Sequence, residues 1–564
     1  MARRLKLYAT ISIRKTVEDY MQGLMMQQQL MISDLLEHAS LNHGTREIYS
    51  RETDGSDFTY TWADCAKRVK KLSNALLAAG VKPGDRVATI AWNNRRHIEI
   101  YYAVSGIGAI VHTINPRLDP KQIAWMVGHA EDKFMFFDTT FAPIVHGIGA
   151  MCPTIKGWIS MCDEEHVPHG NTHVTCYEEF IADYPDTIEW PRFDENTACT
   201  LCYTSGTTGD PKGVLYSHRS TILHAWASCA KDVVGISAVD SVLAVVPMFH
   251  ISAWGLVYSS AMMGSKMVMP GPGLDGKSLV DMIREQEVTY MLGVPTIWMG
   301  ILNELKARGE VSIGTLPKVK GALVGGSALP EVLLRAYEDE LGIPMQQGWG
   351  MTETSPLGVT NSPLPGHEKL SKEELVDIKL LAGRAIFGIE MRIVDDAGDL
   401  LPRDGKATGH LHVRGPWVAN QYFKKDDRSD FTKDGWFMTG DVAALHPSGH
   451  LEITDRSKDV IKSGGEWISS IEVENAAMNH PDVAMAACIG AHHEKWQERP
   501  ILIVQPMPGK MPDKDEIKAE IVDKCAKWWL PDEIFFKDEL PIGATGKVLK
   551  KDLKEEYKSF SLTP

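Results

Sequence analysis

Positive charge is in short supply in this sequence: 59 Lys plus Arg stand against 74 Asp plus Glu, a net charge of −15. That balance works against non-specific nucleic-acid binding and against attachment to an acidic membrane, so an anionic ligand needs a local trap. Also missing is any run of the ~18 to 20 uninterrupted apolar residues that crosses a bilayer, which excludes a helical membrane span. Cysteine is sparse. Nine residues, an odd number scattered over 564 positions, lack the density of a secreted disulfide scaffold and point to a reducing, cytoplasmic setting. Cys199 and Cys202 form a C-x-x-C, but in a β-type run with no second Cys/His pair at zinc spacing, and read as structural. His492-His493 also lacks further ligands at suitable spacing and reads as a surface turn.

What is present is a multidomain globular composition, 44% hydrophobic and 24% charged in 62.5 kDa. Residues 1–26 form a basic arm, with Arg3, Arg4, Lys6, Arg14 and Lys15 and no long apolar core of a secretory signal. Native arm, over-extended reading frame and organelle-type presequence stay open. From Gln27 to His38 the spacing predicts a helix.

Between about Thr61 and Val324 helical periodicity alternates with short apolar runs. Thr61 to Ala79 predicts a helix stopping at Gly80, Arg86 to Trp92 a strand, Arg95 to Val104 a helix and Ile110 to Ile114 a strand. Ser241 to Val246, Lys266 to Met269, Thr289 to Gly293 and Gly321 to Val324 predict buried strands, with helices such as Leu279 to Gln286 and Pro330 to Leu341 between them. The alternation implies mostly parallel sheets with helices on both faces, and ligands at the strand carboxyl ends. After about Gly383 the pattern changes to short strands with Gly-rich turns, a small β unit; the last hundred residues mix strands with the helices Ile468 to Asn479 and Lys514 to Trp528. The polar run Thr454-Asp-Arg-Ser-Lys-Asp459 between them is the expected hinge.

The strongest local signal is Tyr203-Thr-Ser-Gly-Thr-Thr-Gly-Asp-Pro-Lys-Gly-Val214, a loop with three glycines, four hydroxyls and Lys212. Glycines let backbone N–H groups approach an anion, hydroxyls add donors and the lysine a point charge, so the loop suits phosphate. It is not a Walker A loop, because Pro211-Lys212 follows where Gly-Lys-Ser/Thr would stand. Glu353, beyond a strand end, places a carboxylate where a magnesium ion needs oxygen. Phe437-Met-Thr-Gly-Asp441 reads as a turn presenting one carboxylate, suited to a vicinal diol. Gly325-Gly-Ser-Ala328 follows an apolar strand with small residues that let a flat base or an acyl-phosphate lie against backbone. Lys547 follows Gly546 in a polar loop ahead of the helical run Val548 to Tyr557.

The run 203–214 resembles the phosphate loop of the acyl-adenylate-forming superfamily. Gly348-Trp-Gly-Met-Thr-Glu353, Phe437 to Asp441, Asp455-Arg-Ser-Lys458 and Gly543-Ala-Thr-Gly-Lys547 resemble that family's other signatures in the same order, over almost the whole chain. The resemblance implies a large N-terminal α/β domain, residues 27–457, of two doubly wound α/β subdomains plus a small β-barrel-like unit. It implies a small mobile α+β C-terminal domain, residues 458–564, hinged at Lys458. It implies an ATP- and Mg²⁺-dependent acid:CoA ligase with CoA as co-substrate. Nucleotide-binding residues would be Thr204, Ser205, Gly206, Thr207, Thr208, Gly209, Lys212, Gly325, Gly326, Ser327, Gly348, Trp349, Gly350, Met351, Thr352, Asp441 and Arg456. Glu353 and Thr204 would serve the metal.

Trp349 replaces the family's commoner tyrosine, which keeps adenine stacking but removes a phenolic hydroxyl. His250 and Trp254, with Gly325 and Gly350, would form the acyl pocket, and Lys462, Ser463, Gly464, Gly465 and Glu466 the CoA channel. Lys547, Thr204, Glu353 and His250 would carry the chemistry, Lys547 neutralising charge at the carboxylate and α-phosphate. The run of sequence is most similar to the short- and medium-chain acyl-CoA synthetase branch, and there to ligases acting on 3-(methylthio)propionate in dimethylsulfoniopropionate breakdown. Alternatives carried forward are a medium-chain fatty-acyl-CoA ligase, an adenylation domain loading a carrier protein, a luciferase-like oxygenase and a non-catalytic nucleotide-binding regulator. No nucleic-acid or membrane partner is expected; a homodimer is compatible with the sequence.

Overall fold

The computed structural model describes residues 21, 23–204, 211–456, 458–463, 466–543, 548–558 and 560–562, with the backbone alone for Glu466, Trp467, Ser561 and Leu562. The first helix is Ile32–Asn42, five residues later than the periodicity predicts. The preceding backbone is committed elsewhere: Leu30 N–H donates to Glu195 at 2.9 Å, Gln29 accepts from Glu195 N–H at 2.9 Å, and Ile32 N–H reaches His218 at 3.2 Å. Trp62–Ala78 follows the expected pattern, started by a reciprocal Thr61–Asp64 capping box.

A seven-stranded sheet runs, in spatial order, through Thr175–Cys176, Gly157–Ser160, Phe134–Phe137, Arg86–Ile90, Ile110–Thr113, Ala198–Tyr203 and Gly213–Ser217. Its pairs are parallel except the last, a hairpin between Ala198–Tyr203 and Gly213–Ser217. Cys199 and Cys202 are buried in this sheet as structural thiols.

The second sheet has 13 strands. A parallel run, Glu47–Arg51, Lys266–Met269, Ser241–Ala244, Tyr290–Gly293, Gly321–Val324 and Met345–Gly350, continues through antiparallel Leu357–Thr360 and Gly383–Ala385 into His450–Arg456, Phe437–Leu445, Thr408–Arg414 and Glu390–Val394. The small β unit is therefore a continuation of an α/β sheet, and Asp441 on one of its strands reaches the Trp349 indole N–H on the strand that leads to Glu353. Phe437–Leu445 is a strand and not the turn predicted there; irregularity enters only at Gly440, with φ +74, and at the bulge beyond Val442. The helix predicted from Pro330 is regular only over Glu331–Arg335 and widens over Ala336–Glu340.

In the C-terminal part a hairpin of Ile461–Ser463 and Glu466–Ile468, the long pair Val483–His493 and Gln497–Pro506, and Glu533–Phe536 pack against Ser470–Ala477 and Lys514–Lys524. His492-His493 ends a strand, and buried His493 accepts the N–H of Lys495 and Trp496 at 3.1 and 3.2 Å, so it is not a surface turn. Separate apolar clusters fill the two parts, each large side chain contributing about 1.5–3 kcal/mol when buried. Among the described residues no helix is long and apolar enough to cross a membrane.

Candidate active site

The phosphate-type loop leaves the hairpin end at Tyr203, paired with Gly213. Its neck is closed by Thr204 N–H to Lys212 C=O at 2.9 Å and Lys212 N–H to Thr204 Oγ1 at 3.4 Å. The tip, with Ser205, Gly206, Thr207, Thr208 and Gly209, lies outside the described residues. Lys212 Nζ sits 2.7 Å from Asp430 Oδ2 and 4.7 Å above the Tyr422 ring, so its charge is already partnered before any phosphate arrives.

The strand Met345–Gly350 delivers Gly348, Trp349 and Gly350 to the same region, and the chain then doubles back. Gly350 is required by that fold: a Cβ there would lie 1.8 Å from the Pro356 carbonyl oxygen. Met351 N–H bonds that same oxygen at 3.1 Å, and Thr352 C=O accepts the Tyr216 hydroxyl at 2.7 Å, fixing the short turn Thr352–Thr354 that presents Glu353. Glu353 is 5% exposed, and its Oε1 accepts the Tyr422 hydroxyl at 2.7 Å. Burial holds its carboxyl above the ordinary carboxylate range, opposed by the Tyr422 hydrogen bond and by Arg456 and Lys212.

Asp441, 1% exposed, is gripped from both sides. Arg456 Nε lies 2.7 Å from Oδ1, and the Trp349 indole N–H donates to Oδ2 at 2.9 Å. The tryptophan thus supplies a donor that aims the carboxylate, beyond the stacking surface expected of it. Tyr422 and Asp430, which tie Glu353 to Lys212, were missed in the sequence. They stand in an irregular stretch after Thr408–Arg414 with no spacing pattern, and only their contacts reveal them.

Trp254 lies across the glycines Gly325 and Gly326: a Cβ on Gly325 would meet its ring at 2.8 Å, and Gly326 has φ +85. Ser327 is exposed on the adjoining turn. His250 precedes Ile251–Trp254, whose φ values of 50, 53, 51 and 57 form a left-handed turn that costs L-residues about 1–2 kcal/mol each. Buried hydrogen bonds hold its approach, from Tyr101 to Met248 C=O at 2.6 Å and from Thr113 to Phe249 C=O at 3.1 Å. The glycine platform and the aromatic wall expected for an acyl pocket are thus in contact.

The C-terminal candidates are placed less completely. Lys462 is exposed, with its N–H bonded to Glu498 at 2.9 Å, and Ser463 Oγ accepts from Arg499 at 3.5 Å. Gly464, Gly465, the Glu466 side chain and Lys547 lie outside the described residues; Ile542 and Val548, flanking the Lys547 loop, pair by an isolated bridge. Lys458 offers its carbonyl to Lys554 at 2.6 Å.

Among the described residues no group of three or more His, Cys, Asp or Glu side chains is arranged to hold a metal. A single buried carboxylate, Glu353, still fits magnesium, which keeps few protein ligands and takes oxygens from substrate phosphates.

The chain belongs to the AMP-binding enzyme family: the family model matches residues 36–423, and the model for the AMP-binding enzyme C-terminal domain matches 472–547. Among curated proteins it is 48% identical to 3-methylmercaptopropionyl-CoA ligase of Ruegeria pomeroyi, over 95% of this chain and 99% of that one. It is 46% identical to medium-chain-fatty-acid–CoA ligase of Ectopseudomonas oleovorans, over 95% and 98%. The structure of o-succinylbenzoate CoA synthetase from Bacillus subtilis with the acyl-adenylate intermediate OSB-AMP is similar at TM-score 0.76 and 27% identity, covering 94% of this chain and 99% of that one.

Proposed function

We propose that this chain is an AMP-forming acid:CoA ligase whose preferred acid is 3-(methylthio)propionate. ATP and CoA are its co-substrates. The observation that carries the nucleotide assignment is the Asp441 carboxylate held between Trp349 and Arg456. A carboxylate fixed by two donors has lone pairs left for the two ribose hydroxyls. Trp349 offers a face to adenine, and Gly325 and Gly326 let the acyl end approach backbone.

The acid's carboxylate oxygen attacks the α-phosphorus of ATP, forming an acyl-AMP and expelling pyrophosphate. The CoA thiol, losing its proton, then attacks the acyl carbon; the thioester forms and AMP leaves. Lys547 would neutralise the charge that builds on the α-phosphate and carboxylate in the first step, an electrostatic contact typically worth about 2.7–4 kcal/mol. Glu353 and Thr204 would hold Mg²⁺, whose charge would offset that of the triphosphate. Lys462, Ser463, Gly464, Gly465 and Glu466 would border the path of the thiol arm in the second step.

The acid assignment rests on the Ruegeria relative; the relative from Ectopseudomonas supports a second reading, a medium-chain fatty acid. A panel of C2 to C12 acids and 3-(methylthio)propionate, compared by kcat/KM with AMP and pyrophosphate measured as products, separates them. Preference for 3-(methylthio)propionate is expected. A maximum among unbranched medium-chain acids would transfer the assignment to the second reading, and ADP in place of AMP would reject the adenylate chemistry.

A further inference from the structure

We infer that residues on the two sides of the Lys458 pivot form a clasp that holds the C-terminal domain in the setting seen here and must open before that domain can turn. The inference rests on the two-step reading above, in which one site serves two half-reactions. Upstream of the pivot, Thr454 and Asp455 end the strand His450–Arg456. Downstream, Ser469 and Ser470 begin the helix Ser470–Ala477. Ser469 Oγ donates to Thr454 C=O at 2.5 Å, and Ser470 N–H donates to Asp455 Oδ2 at 2.7 Å. Asp455 is 1% exposed and both serines are fully buried, so these bonds are shielded from competing water.

The rest of the contact set shows which bonds resist rotation. Lys554 Nζ binds the Lys458 carbonyl at 2.6 Å and Asp459 Oδ1 at 3.0 Å. That carbonyl lies beyond the φ and ψ bonds of Lys458 and travels with the C-terminal domain, so Lys554 does not oppose the turn. It makes the segment after the pivot part of the moving body and confines rotation to Lys458. Lys550, bonded to Ser470 Oγ at 2.5 Å and Glu474 Oε1 at 2.7 Å, likewise belongs to the moving side. Among the described residues the Thr454–Ser469 and Asp455–Ser470 bonds tie one body to the other, together with the short turn at Arg456, the attraction between the Lys550 ammonium and the Asp455 carboxylate, and the surface pair Lys524–Glu331 at 3.3 Å. Asp455 is thus a positioning residue.

The test measures the two half-reactions separately, as pyrophosphate exchange into ATP and as thioester formation from supplied acyl-AMP, in Asp455→Ala, Asp455→Asn and Ser469→Gly of the full chain. Loosening the clasp should slow the half-reaction this setting serves and speed the other. Their ratio should move about tenfold in Asp455→Ala and in the same direction in Ser469→Gly, and return toward wild type in Asp455→Asn, which retains an acceptor. Glycine caps a helix nearly as well as serine, so Ser469→Gly carries the test if Asp455→Ala does not fold. Both half-reactions falling in parallel with Tm, or a ratio unchanged within about twofold, would overturn the clasp. Lys547→Ala run alongside separates this from the parent reading: if that variant fails to divide the half-reactions, the two-step use of the site is at fault and not the clasp.

Discussion

At the scale of single residues, Asp441 is the best-determined group of the site, and its second donor is the least expected. The position of Trp349 matches a family signature in which a phenol is commoner, and the indole N–H bonds the carboxylate at 2.9 Å. Trp349→Phe keeps the stacking face and removes that donor. A hydrogen bond to a charged group is worth about 1.5–3 kcal/mol, so the KM for ATP should rise about tenfold or more with little change in kcat. An unchanged KM would remove Asp441 and Trp349 from the ribose site. Glu353 gives a pH prediction with a definite sign. Burial raises its pKa and the Tyr422 hydroxyl lowers it. Tyr422→Phe deletes the lowering contribution alone, so the acid limb of kcat/KM should move to higher pH. A limb that stays in place or moves down would show that Glu353 does not govern it.

At the scale of elements, the helices and buried strands of the α/β part were legible because amphipathic spacing acts locally: apolar residues at helical spacing from Thr61, stopping at Gly80, announce the helix Trp62–Ala78. The path of the second sheet was not legible, since no local pattern shows that Leu357–Thr360 and Gly383–Ala385 bridge a parallel sheet to an antiparallel one. Asp441 was found by its motif and misread as part of a turn, because Gly440 in a short segment suggests one; pairing with His450–Arg456 makes it a strand. Tyr422 and Asp430 had no signal, their partners being tens to hundreds of residues away in sequence.

Two elements allow direct tests. Gly350→Ala puts a methyl carbon 1.8 Å from a backbone oxygen, which cannot be relieved by a side-chain rotation. The variant should stay folded by circular dichroism yet lose most adenylate formation, because the Glu353 turn is displaced; wild-type exchange rates would contradict the doubling-back geometry. In the helix Arg95–Gly106, Glu99 is fully buried, with Arg68 at 2.8 Å and the Tyr177 hydroxyl at 2.7 Å. Glu99→Ala removes the buried acceptor of Arg68 and of the Tyr177 hydroxyl, but Arg68 keeps Glu178 at 3.0 Å through two nitrogens, so denaturant unfolding should report a loss of about 1.5–3 kcal/mol.

At the scale of the whole molecule, one site has to treat an α-phosphorus first and an acyl carbon second. A domain that turns about a single residue offers each step its own groups. Lys458→Pro should therefore slow turnover more than either half-reaction measured alone, since it restricts the pivot and not the chemistry; normal turnover would place the pivot elsewhere. The central claim, that Lys547 serves adenylate formation and not thiol transfer, is tested most directly by Lys547→Ala assayed in both half-reactions. The account predicts that acid-dependent pyrophosphate exchange collapses by about 100-fold or more while CoA still takes the acyl group from supplied acyl-AMP at close to the wild-type rate. Equal loss of both activities, or full retention of exchange, would contradict it.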